Sequence, residues 1–226
     1  MLHLSPNTDL MRDANNPQFL AAALSPEIAK SCLSIGLTVA VGRVDKRGNF
    51  HVEKRVPAHS IVTAFPRMLN FSLSLNTQGE ASVVDINGGT DFSVASGPYM
   101  RVDGTANISS TTSGTSKGIF CGTGTNAVTM ADTALQTPIA NGSGAGQLTW
   151  GAVQFVAVGS SGNNRLITFT TAFTNSSGNA INVTEVALYC RDNASRSFCL
   201  CRDLLSFTIN NGATKTVQYQ FTVALT

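Results

Sequence analysis

Charge is scarce in this chain. Only 12% of its 226 residues are Asp, Glu, Lys or Arg, against roughly 25% in an ordinary soluble domain. The formal charge of +2 gives no general attraction to nucleic acid, and a weakly charged surface protects little against self-association. Such a surface suits a protein packed against copies of itself or against partners. Long apolar runs are also missing: nothing approaches the roughly 20 residues of a membrane span, so no membrane partner is expected. Met1-Leu-His-Leu-Ser-Pro lacks a basic n-region, and the apolar stretch from Phe19 to Leu24 is short and ends before Pro26. That argues against a secretory leader and for synthesis in a cytoplasm. The sequons at Asn107, Asn141, Asn175, Asn182 and Asn193 then reflect an Asn/Ser/Thr-rich composition.

Catalytic side chains are sparse. The three histidines, His3, His51 and His59, stand far from any readable Ser-His-Asp set. Asp85, Asp91, Asp103 and Asp132 sit in Gly-rich stretches, where Asp caps and turns more often than it transfers protons. Glu185 and Asp203 fall in strand-like runs, where pairing with Arg191 or Arg202 on a neighbouring strand is the simplest role. The reading is of a protein that is not an enzyme and needs no cofactor. Five cysteines, an odd number, make a poor disulfide framework. Cys190, Cys199 and Cys201 lie close in "LYCRDNASRSFCLCRD", yet their spacing is not that of a zinc site. A disulfide from Cys190 across a hairpin is one alternative. Burial as small apolar residues on two strands flanking "DNAS" is favoured.

Glycine and β-branched residues are what the chain has. "GIFCGTGTNAVTMADTALQTPIANGSGAGQ", residues Gly118 to Gln147, holds six glycines and resembles a phosphate cradle in composition. A cradle needs a strand, a tight glycine turn and a helix N-terminus, and the P-loop adds Lys followed by Ser or Thr. Gly122 and Gly124 are followed by Asn126 and Ala127, and Gly142, Gly144 and Gly146 by Gln147 and Leu148, with no Lys in either place. The five glycines are therefore expected to be geometric, several of them at positive φ.

The N-terminal 35 residues lean towards helix. Asn16-Pro17 and Ser25-Pro26 read as caps with first-turn prolines, and Gly36 as a stop for "PEIAKSCLSI". Phe19, Leu20, Leu24, Ile28 and Leu33 form an apolar stripe, expected to dock on a neighbouring subunit or on the chain's own sheet. Residues 36–226 read as one β domain. It opens with a hairpin, "LTVAVGRVD" and "NFHVEKRVP" about Asp45-Lys-Arg-Gly48, whose charges mark where the chain meets water or a charged partner. A short helix is expected between Ser60 and Leu73, and a long loop over 88–116. From Ala81 onward short Val/Ile/Phe/Thr-rich runs alternate with Gly/Asn/Ser turns. "TNSSGNAIN" and "INNGA" read as hairpin loops, and Val217, Tyr219, Phe221 and Val223 as an inward row. The fold class is mainly β: an antiparallel β-sandwich, jelly-roll or Ig-like, with a helical arm.

The order of these elements carries a resemblance. G-T-G-T-x-A-V, G-A-G-Q-L, T-N-x-S-G-x-x-I-x-V-x-E-V-x-L-Y and R-D-x-L, spread between about Leu37 and Val223, resemble a group of largely uncharacterised proteins encoded among the structural genes of tailed bacteriophages. The resemblance excludes the first 35 residues. It implies a virion component, in the neck, tail or capsid surface, with copies of itself and other virion proteins as partners, and it supplies no catalytic residues. Sandwich domains on phage heads and fibres also hold carbohydrate on exposed aromatics. A host glycan is thus the alternative ligand, with Trp150, the one tryptophan, as its candidate stacking residue and a core role as the favoured one.

Overall fold

A computed structural model describes residues 33–58, 61–66, 83–91, 117–162, 164–191 and 196–225. Eleven strands account for most of them: β1 Leu33–Val44, β2 Phe50–Pro57, β3 Val83–Val84, β4 Thr90–Asp91, β5 Gly118–Gly122, β6 Thr149–Trp150, β7 Gln154–Ser161, β8 Asn164–Thr174, β9 Ile181–Arg191, β10 Ser197–Ile209 and β11 Thr214–Leu225. They form two main antiparallel sheets. One runs β2-β1-β11-β8-β6, with β7 also paired to β8; the other runs β10-β9-β5. β3 and β4 make a separate small hairpin. The architecture is the expected β-sandwich.

Alternation in the sequence explains the core. Val217 and Tyr219 are fully buried on β11, and Phe221 nearly so. Their partners across the ladders, Val41, Val39 and Leu37 on β1, are also buried. Phe169 meets Phe221 edge to face at 6.2 Å, and Phe65 stacks on the same ring at 6.0 Å. The facing sheet contributes Ile119, Cys121, Val186 and Leu188, all at most 1% exposed. Each such side chain removed from water stabilises the fold by about 1.5–3 kcal/mol before entropy is counted.

Irregular segments close both open sides of the sandwich. After β2 the chain crosses from sheet to sheet: Ala58 N–H donates to Leu37 O (2.9 Å) on β1, and Val62 N–H to Leu200 O (3.1 Å) on β10. Ile86 N–H covers the same β10 edge at Ser197 O (3.0 Å). On the other side Ile139 N–H bonds Cys121 O (3.0 Å), Leu148 N–H bonds Ala140 O (3.1 Å), and β6 then joins β8. Covered edges are why β10 is buried without interruption from Ser197 to Asp203. No helix among the described residues is long and apolar enough to cross a membrane.

Several expectations are corrected. β1 begins at Leu33, inside the expected arm, with Leu33, Ile35 and Gly36 opposite Leu225, Val223 and Thr222. The ladder to β11 satisfies those backbone groups, so the helix-stop reading of Gly36 fails. Ile61 bridges Cys201, and helical backbone starts only at 64–66. Thr90 and Asp91 belong to the β3–β4 hairpin rather than to a loop starting at 88. "TNSSGNAIN" and "INNGA" are not hairpin loops, because β8 and β11 lie in one sheet while β9 and β10 lie in the other. Phe19, Leu20, Leu24 and Ile28, and the rest of the 88–116 and 60–73 expectations, lie outside the described residues.

Candidate functional site

The densest polar constellation sits where the glycine-rich segment crosses β9 and β10. The register places Leu204 opposite Glu185 and Arg202 opposite Ala187, so Glu185 and Arg202 are diagonal neighbours on one face. Arg202 Nε reaches Glu185 Oε2 at 2.7 Å, with the two side chains 2% and 0% exposed. Arg202 Nη1 bonds Asp132 Oδ2 at 2.8 Å, and Nη2 donates to Asn126 O at 3.2 Å. The expected cross-strand pairing of Glu185 with an arginine is present, and Asp132 joins it from the loop.

The glycines serve this carboxylate. Glu185 Oε1 accepts the N–H groups of Gly124 (3.0 Å) and Thr137 (2.7 Å), and Oε2 accepts that of Gln136 (3.1 Å). A Cβ on Gly122 or Gly124 would lie 2.5 Å from Glu185 Oε1. These two glycines are needed for close approach, not for φ. Gln136 Oε1 takes the next two amides, Thr125 and Asn126, each at 3.0 Å. The loop does cradle an anion, and the anion is the protein's own. In the second cluster Gln147 Oε1 accepts Gly144 N–H at 2.9 Å. Of the five singled-out glycines only Gly142 (φ 154°) and Gly146 (φ 73°) have positive φ; the expectation fails for Gly122, Gly124 and Gly144.

Electrostatics follow from this geometry. Burial would raise the Glu185 carboxyl, but the Thr137 amide, the Arg202 guanidinium and the Gln136 and Gly124 amides outweigh it and hold the group below the ordinary carboxylate range. Asp132 is likewise lowered: against burial stand Arg202 and the backbone and hydroxyl of Thr129. Arg202, opposed by burial, is raised by its two carboxylates. The thiols of Cys121, Cys199 and Cys201 are pushed well up by burial, which leaves them protonated and poorly nucleophilic. Cys121, Cys190, Cys199 and Cys201 are all buried and none forms a disulfide. Among the described residues no group of three or more His, Cys, Asp or Glu is placed to hold a metal.

Other singled-out residues are scattered. Asp85 turns the β3–β4 connection, accepting the N–H groups of Asn87 and Gly89 at 2.8 Å each. Asp203 accepts the Tyr219 hydroxyl at 2.9 Å between the sheets. Trp150 meets Phe120 edge to face at 5.1 Å and packs half-buried against the core, with its indole nitrogen enclosed. A small recess of about 180 Å³ is lined by Thr63, Ala64, Val83, Val84 and Met130 to Thr133, below the roughly 300 Å³ at which ligand pockets begin.

Sequence reasoning missed three residues. Gln136 and Tyr189, whose hydroxyl accepts Leu135 N–H at 2.7 Å, pin the loop. Asn175 is fully buried and ties both inter-sheet connections: its Nδ2 donates to Asn179 O and Ile209 O at 2.7 Å each. Their signal was a polar residue inside or beside an apolar run, which does not name its partner. No family model, curated protein or solved structure matches this chain.

Proposed function

We propose that this chain is a structural component of a tailed-bacteriophage virion, assembling with copies of itself or with other virion proteins in the neck, the tail or on the capsid. Its sequence pattern supports this reading, and so does one structural observation. The polar groups that the fold brings together, Glu185, Arg202, Asp132 and the amides of 124–126 and 136–137, are all spent on fixing a loop over a sheet. That is work for a scaffold. Its neutral polar surface and the apolar stripe Phe19, Leu20, Leu24 and Ile28 supply assembly contacts.

Quantitative mass spectrometry of purified particles tests the reading. The chain is expected at a fixed copy number per particle; recovery only in particle-free lysate overturns it. Truncation tests the arm. Because β1 starts at Leu33, the cut belongs before it: deleting residues 2–31 is expected to preserve a cooperative melt while reducing the sedimenting oligomer to smaller species. Outright unfolding of the truncated chain would assign the arm to the core instead.

A further inference from the structure

The β1–β2 hairpin is where charge concentrates. Residues 43–57 hold five cations (Arg43, Lys46, Arg47, Lys54 and Arg55) against two carboxylates, a surplus of three, while the rest of the chain holds ten cations against eleven carboxylates. Six of the eight β2 residues, all but the half-covered Phe50 and Val56, are exposed, and they lie on both faces. Both carboxylates are already engaged. Asp45 accepts Arg47 N–H (2.8 Å) and Asn49 N–H (2.9 Å) and pairs with His51 Nε2 (2.9 Å), which fixes the tip. Glu53 is held by Arg43 Nε (3.1 Å) and by Lys215. Lys54 reaches Ser206 O at 3.2 Å. Lys46, Arg47 and Arg55 make no side-chain hydrogen bond or ion pair among the described residues. Between these charges stand two exposed valines, Val44 (50%) and Val52 (44%).

The free edge of β2 is blocked to a further strand. Val52 and Lys54 oppose Gly42 and Val41, which leaves Glu53 as a bulge. Ala58 N–H bonds Leu37 O, so the preceding position, Pro57, is the one facing away from β1, and it has no N–H to offer. Bulge, cations and proline are the devices that keep an edge from pairing. A partner must therefore meet the side chains.

From this we infer that the hairpin is a docking surface for an acidic patch, with aliphatic residues among its carboxylates, on a different protein. Apolar contacts ringed by charge suit a protein surface, whereas a phosphate backbone offers nothing to Val44 and Val52. Among the described side chains outside the hairpin, a second copy supplies no acidic patch: Asp85, Glu185 and Asp203 are buried and Asp132 is paired with Arg202.

The inference rests on the assembly reading, yet the two fail separately. The full isotope-labelled chain is titrated with a soluble Glu-rich peptide containing interspersed Leu, and in parallel with a short DNA duplex, at low and raised salt. The peptide is expected to shift amide resonances of residues 43–57, less so at raised salt, and the shifts are expected to vanish in K46E/R47E/R55E, whose melt should be unchanged. No shift there, or tighter binding of the DNA, overturns the inference. Shifts that grow with protein concentration alone point to a second copy and also overturn it. Peptide binding by a chain absent from particles would remove the assembly reading only; a chain present in particles whose hairpin ignores the peptide would remove the docking surface only.

Discussion

Arg202 carries its charge at 2% exposure because two carboxylates and a carbonyl surround it. Replacing it by Met would strand Glu185 as a buried anion, and loss of one partner of a buried pair costs about 3–5 kcal/mol; urea unfolding of Arg202→Met measures this. The same pair gives the fold an acid limit. Glu185 and Asp132 have folded values below their unfolded ones, so between the two the unfolded chain binds more protons and stability rises with pH. Their contribution is complete above about pH 4, the ordinary carboxylate range, and is lost as pH falls through the lowered values. The urea midpoint is expected to drop over that acid window, and less steeply in Glu185→Gln. Glycines separate by mechanism. Gly124→Ala forces a Cβ against Glu185 and is expected to cost about 1–3 kcal/mol, as overpacking does. Gly146→Ala, at φ 73° with open space around it, should cost about 1 kcal/mol from backbone strain alone.

At the scale of elements, the two crossings between sheets matter most. β8 passes to β9 and β10 to β11 at the same end, and Asn175 holds both. Its N–H donates to Ala213 O (3.0 Å), its carbonyl accepts Gly212 N–H (2.7 Å), and its side chain spans Ile209 and Asn179. Asn175→Ala would leave the buried Ile209 carbonyl without its donor, a loss worth about 1–3 kcal/mol. A drop of at least that size in a denaturant titration is expected, with Asn182→Ala, an exposed sequon position, as the near-neutral comparison. β10 depends on its covers in the same way, since its edge bonds come from Val62 and Ile86 rather than from a strand.

For the whole molecule, buried residues from Leu37 to Phe221 belong to one hydrophobic cluster. Cys121, Cys190, Cys199 and Cys201 lie within it, so their thiols should become reactive together. Alkylation under native conditions is expected to spare these four and to label them in step with global unfolding by urea. Labelling of one ahead of the rest would show that the cluster opens in parts.

By itself the sequence determined the class of fold, the β1–β2 hairpin, the inward row of β11 and the Glu185–arginine pairing. Each is local: a period of two fixes which side chains share a face, and a carboxylate in an apolar strand must find a cation or be expelled. Tertiary structure decided which strands share a sheet. Turn residues such as Asn-Gly bend the chain equally well into a hairpin or across a sandwich, so "TNSSGNAIN" and "INNGA" could not reveal that they cross. It also decided the start of β1, where pairing with Val223 and Leu225 carries the strand through the helix stop read at Gly36. Most of all it decided what the glycines are for. Composition shows a loop able to wrap an anion, and only the packing of that loop on β9 shows that the anion, Glu185, is part of the same chain.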